Sequence, residues 1–141
     1  MSARLVTFSC AVPGNPGAAK VNTRTTPIVV GGRSRMISSS NYRAWKRRAA
    51  LVAQGAAKGQ GFGPLARVLV HIDAYWPRQH RRGAATGLAL GDVDAVGKAV
   101  LDAMQAAGVL DDDAQVIDLR LRKYVDATKP RIEIRAWTEE A

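Results

Sequence analysis

The sequence has a single cysteine, Cys10, in 141 residues. That excludes a disulfide framework within the chain and a zinc site built from several thiolates. Cys10 stands in the apolar run Leu5-Val6-Thr7-Phe8-Ser9-Cys10-Ala11-Val12, where a small buried hydrophobe is expected. Long apolar runs are missing as well. None approaches the ~20 residues that cross a bilayer, and no basic amphipathic segment stands alone as a membrane anchor. The first residues carry no basic stretch followed by a continuous apolar core, so no secretory signal is expected and a reducing cytoplasm is. There is no G-x-x-x-x-G-K-[ST] phosphate loop, which argues against a nucleotide enzyme of that kind. Internal repeats and low-complexity linkers are absent. Two histidines without neighbouring cysteines make a poor metal site; His71 is expected on a sheet face and His80 in a loop near phosphate. Trp45, Trp76 and Trp137 are expected in the core or at a subunit interface rather than as platforms for bases.

Acid is scarce over most of the chain. Before residue 92, Asp73 alone is acidic, against fourteen lysines and arginines. From Asp92 onward eleven acidic residues accompany seven basic ones. The net charge of +9 is therefore segregated rather than scattered. A basic body around a compact acidic segment suits a phosphate-rich polymer that is held and then attacked through a metal ion.

Length fits one domain spanning residues 1–141, and 47% hydrophobic content supports a packed core without disulfides. Residues 4–12 read as a strand stopped by Pro13-Gly14-Asn15-Pro16-Gly17. Residues 13–40 have loop character, with a possible hairpin where Ile28-Val29-Val30 and Met36-Ile37 flank Gly31-Gly32. Ser38 to Asn41 offer caps for a helix over 41–57, with Tyr42, Trp45, Ala49, Val52 and Ala56 on one face. Residues 66–76 alternate as a strand, and Pro77 to Gly91 is irregular. A second helix is expected over 93–107, capped by Asp92 and stopped by Gly108, with an apolar stripe of Val93, Val96, Val100, Met104 and Ala107. Strands follow at 115–125 and 131–137. The order β-α-β-α-β-β describes one mixed-sheet α/β (α+β) domain.

The chemistry concentrates at Gly91-Asp92-Val93-Asp94-Ala95-Val96-Gly97-Lys98 and Asp111-Asp112-Asp113. Two ionised carboxylates ~4 Å apart repel by about 4 kcal/mol at an effective dielectric of 20. Three gathered together require a cation, a proton or a basic partner. Mg²⁺ suits them because it takes oxygen ligands and keeps waters. Lys98 lies four residues after Asp94 and can share its helical face. Each residue also has a plainer reading: Asp92 as a cap, Asp94 as a first-turn acid favoured by the helix dipole, Lys98 as its salt-bridge partner, Asp111 to Asp113 as a solvated turn.

The stretch Asp92-Val-Asp94-Ala-Val-Gly-Lys98-Ala-Val-Leu-Asp102-Ala-Met, followed by Gly108-Val-Leu-Asp111-Asp112-Asp113-Ala-Gln115-Val116, resembles the RusA family of Holliday junction resolvases. The family pattern is D-x-D-N-x-x-K-x-x-x-D-x-L, then a glycine, then D-D-x-Q-V. Val12-Pro13-Gly14-Asn15-Pro16, Lys20 and the Tyr42-x-x-Trp45 spacing add to it. The resemblance implies a RusA-like fold and a homodimeric, Mg²⁺-dependent endonuclease acting on four-way and other branched DNA, with Mn²⁺ able to substitute. It implies a bacterial or phage-infected cytoplasm. By position, Asp92, Asp94 and Asp113 would hold the metal and Lys98 would be the catalytic lysine, with Asp112 the lesser candidate beside Asp113. Asp102 would be structural or would support the ligands. Three departures stand out. Ala95 replaces the family asparagine. Gly91 replaces a frequent proline and is expected to loosen the entry to the site. Gly97 inside the helix costs about 1 kcal/mol relative to alanine. Lys20, Arg24, Arg33, Arg35, Arg81 and Arg82 are the candidates for holding DNA, with Lys46, Arg47 and Arg48 behind them. The competing readings are a basic nucleic-acid-binding module without catalysis and a different Mg²⁺-dependent phosphoryl enzyme.

Overall fold

A computed structural model of the protein describes residues 4–19, 25–38, 40–89, 91 and 93–139. Four strands form the main sheet: β1 (Thr7–Pro13), β4 (Val68–Trp76), β5 (Val116–Val125) and β6 (Arg131–Thr138). Their order is β1-β6-β4-β5. β6 runs antiparallel to both β1 and β4, and β5 runs parallel to β4. The expected hairpin is present as β2 (Thr25–Val30) and β3 (Arg33–Ser38), a separate two-stranded sheet turned by Gly31 and Gly32. Both glycines have positive φ, which only a residue without a Cβ adopts freely. The helices are α1 (Ser40–Ala57) and α2 (Val93–Ala106). The mixed sheet with its helices is the α+β architecture expected. Asp92, the expected cap of α2, lies outside the described residues.

Strict alternation along β4 explains the two sides of the sheet. Val68, Val70, Ile72, Ala74 and Trp76 are buried, and the residues between them are not. Ile132, Ile134 and Ala136 of β6 and Phe8 and Val12 of β1 continue the buried side. The helices cover it. Fully burying one such valine or isoleucine contributes about 1.5–3 kcal/mol. Cys10 is half-buried against this core, and burial pushes its thiol up to about 11, so it is inert.

On α1 the buried positions are Tyr42, Trp45, Ala49, Ala53 and Ala57; Ala56, expected inside, is exposed. The stripe follows the i+4 row, as it must where one long helix packs along a neighbour. α2 departs further from expectation. It is buried nearly all round, including Ala95, Gly97, Ala99, Leu101 and Ala103 as well as the expected Val96, Val100 and Met104. Helix α2 is the crossover between parallel β4 and β5 and also packs on α1, so two of its sides meet protein.

The opposite side of the sheet is open and polar. His71 packs edge-on to Trp137 at 4.6 Å, Tyr75 stacks on Tyr124 at 5.0 Å, and Arg131 lies over Tyr75 at 3.8 Å. Burial of His71, aided by Arg120 and Arg135, holds its pKa below the usual histidine value. His71 is a neutral sheet residue, as expected.

Candidate active site

Because α2 is enclosed on most sides, its solvent-facing positions form a narrow strip. Asp94 and Lys98 are exposed and Asp102 is half-buried, at i, i+4 and i+8. The plainer reading of Lys98 makes it the salt-bridge partner of Asp94. Its ammonium instead lies 3.1 Å from Asp113 Oδ2 and 3.2 Å from Asp102 Oδ1. The Tyr42 hydroxyl of α1 donates to Asp102 Oδ2 at 2.9 Å. A chain of contacts therefore runs Tyr42–Asp102–Lys98–Asp113. The Asp113 hydrogen bond, then Asp102, raises the Lys98 pKa above its usual value. Lys98 in turn is the largest cause holding the Asp113 carboxyl below the ordinary carboxylate range. Both groups stay charged across neutral pH.

Asp113 reaches this strip because the chain doubles back after α2. Gly108 adopts φ +76, and the N–H groups of Val109 and Leu110 both bond to the Met104 carbonyl, at 3.0 and 3.2 Å. Val109 and Leu110 are then buried, which anchors the return. The acidic triplet divides its labour. Asp112 caps a short 3-10 turn, Asp113–Gln115, by accepting from Ala114 N at 2.9 Å. Asp113 is left to face Lys98. Gln115 pins the turn from both ends of its amide. Its Oε1 accepts from Asp111 N and Asp112 N at 2.8 and 3.3 Å, and its Nε2 donates to the carbonyls of Gly63 and Ala66 at 2.7 and 3.0 Å.

The entry to α2 also differs from expectation. Gly91 is buried, and a Cβ added there would fall inside the Trp76 indole. Any side chain at this position, proline's ring included, would collide with the indole. The Lys123 ammonium donates to the carbonyls of Ala89 at 3.1 Å and Gly91 at 2.7 Å. Gly97 has a packing reason as well: a Cβ there would meet Leu121 Cδ1 at 3.0 Å, where α2 crosses β5. Ala95 is buried, so an asparagine in its place would have to bury its amide.

A family model described as Endodeoxyribonuclease RusA matches residues 13–136. The chain belongs to the RusA family. It is thereby an endodeoxyribonuclease, of a family that resolves Holliday junctions with divalent metal ions. A search of curated proteins returns no match.

In this RusA-family chain the donors on the strip are carboxylate oxygens, with neither thiolate nor imidazole beside them. That set fits a hard divalent cation such as Mg²⁺. Among the described residues no three acidic, histidine or cysteine side chains converge on one point; Asp92 is not among those residues. Of the expected DNA contacts, Arg33 is exposed at the hairpin turn, and Arg81 and Arg82 are exposed on a 3-10 turn, Arg81–Thr86. Arg35 lies in β3, Ile28 facing it across the hairpin. Lys20 and Arg24 lie outside the described residues. No described helix is long and apolar enough to cross a membrane.

Tyr42, expected only on the packed face of α1, also reaches the candidate site, and so do Gln115 and Lys123. Gln115 was visible as the glutamine of D-D-x-Q-V. Lys123 left a subtler trace: it interrupts the apolar alternation Leu119, Leu121, Val125 on β5.

Proposed function

We propose that this RusA-family chain is a Mg²⁺-dependent endonuclease that resolves four-way DNA junctions by paired cuts as a homodimer, leaving 5′-phosphates. The observation that carries this reading is the Lys98 ammonium bridging Asp113 and Asp102 on the strip that also bears Asp94. Asp94 and Asp113, joined by Asp92, are the assigned metal ligands, and Mn²⁺ substitutes as a similar oxygen-seeking ion. The bound ion supplies charge neutralisation at the scissile phosphate and an activated water.

The remaining work falls to the chain. Asp113, kept ionised by Lys98, is ready to coordinate without first losing a proton. With Asp113 among the residues that would hold the ion, Lys98 would keep Asp102 as its anchor and offer its remaining donors to the phosphate oxygens, where negative charge builds as the bond to the 3′ oxygen breaks. Tyr42 fixes Asp102 and so fixes the reach of that ammonium. Arg33, Arg35, Arg81, Arg82, Lys20 and Arg24 hold the DNA backbone, giving affinity that falls steeply with salt. A two-fold dimer would set two such sites on a junction of similar symmetry.

The test is cleavage of a synthetic four-way junction under a Mg²⁺ titration, with EDTA and with Asp94→Asn. Wild type should cut only with the metal, and Asp94→Asn should bind the junction without cutting it. Undiminished cleavage by Asp94→Asn would remove the assignment.

A further inference from the structure

Lys123 belongs to none of the roles above, yet its environment is unusual. It sits on the inner side of β5, in register with buried Ala74, in a row otherwise made of Leu119, Leu121 and Val125. Lys123 is half-buried on this edge strand, and its ammonium is held by specific partners. The partners it finds are two backbone carbonyls, those of Ala89 and Gly91. Both lie in the segment that feeds α2. Asp94 is in the first turn of that helix, and Asp92 follows Gly91 directly in the chain.

Two further facts make this a clamp rather than a chance contact. The Trp76 indole occupies the space beside Gly91, so the segment is pressed from one side while Lys123 draws on its carbonyls. Among the described residues between the strand end at Trp76 and the helix start at Val93, the chain is irregular apart from a short 3-10 turn and the isolated bridge Gln79 to Ala89. The grip falls on Gly91, two residues before α2 begins, and Asp94 stands in the first turn of that helix. We infer that Lys123 is a positioning residue that sets the acidic start of α2 for metal binding, a role that presupposes the metal-dependent reading above. It touches neither DNA nor metal in this role. It acts through the backbone, as supporting groups around a metal site commonly do.

The experiment compares wild type, Lys123→Met and Lys123→Arg in two measurements. Mn²⁺ binding to the protein without DNA, followed by electron paramagnetic resonance, should weaken about 10- to 100-fold in Lys123→Met and be largely restored in Lys123→Arg. Amide hydrogen exchange should speed up over residues 88–96 in Lys123→Met while α1 and β6 keep their protection. Unchanged Mn²⁺ affinity in a folded Lys123→Met would overturn the inference. Global unfolding of that variant would overturn it too, since Lys123 would then serve the whole fold. If wild type itself binds no Mn²⁺, the metal-dependent function fails instead, and the two failures are told apart.

Discussion

Two clusters in this protein look alike on paper: a cation between two carboxylates. On the α2 strip Lys98 bridges Asp113 and Asp102. On the open side of the sheet Arg131 bridges Asp126 and Glu133, at 2.9 Å to each. Their origins differ. Asp126 and Glu133 stand within five residues of Arg131, at the turn joining β5 to β6, where Asp126 also accepts from the N–H groups of Thr128 and Lys129. Arg131 further stacks over Tyr75 and donates to the Lys129 carbonyl. Every group there has a nearby partner, and the cluster closes on itself. The Lys98 cluster draws on α1, α2 and the returning loop, and it stands beside an exposed Asp94 that Lys98 does not engage. A closed local cluster stabilises a turn. An open non-local one with surplus acid has room for a cation, as the proposed function requires. The lesson is that the charges left over, more than the ion pairs formed, distinguish the candidate site.

The contrast can be broken most severely at Lys98. Lys98→Met should lower the single-turnover cleavage rate about 100- to 1000-fold while junction binding persists. Lys98→Arg should recover part of the loss, because a cation remains. A milder intervention leaves the strip intact and unpins the loop. Gln115→Leu keeps the volume but removes four hydrogen bonds, so Asp113 loses its placement. The apparent Mg²⁺ affinity in the cleavage assay should fall about 10- to 100-fold, with most of the rate recovered at high Mg²⁺. The smallest effect belongs to the closed cluster. Arg131→Met should lower the melting temperature by a few degrees and leave junction cleavage unchanged. Equal losses of cleavage in Arg131→Met and Lys98→Met would erase the distinction drawn between the two clusters.

Much of the fold was legible in advance. The strand and helix order, the hairpin and the Gly108 stop follow from periodicity and turn residues. What escaped was relational. Nothing around Gly91 in the chain signalled that Trp76 and Lys123, fifteen residues before and thirty-two after, meet it. Spacing alone offered Lys98 a partner in Asp94 at i+4, yet a loop contact and the next turn of the helix claimed its ammonium. Local spacing identifies neighbours along an element and says nothing of competitors brought from elsewhere.

By itself the sequence determined which residues could bear chemistry: the scarcity of acid before residue 92, the spacing of Asp94, Lys98 and Asp113, and a matching family pattern. Only the tertiary structure decided which of them meet. It did so because the β4-α2-β5 crossover and the burial of Val109 and Leu110 return the chain to α2, and because packing on most sides of that helix leaves one strip where charged side chains can remain in water.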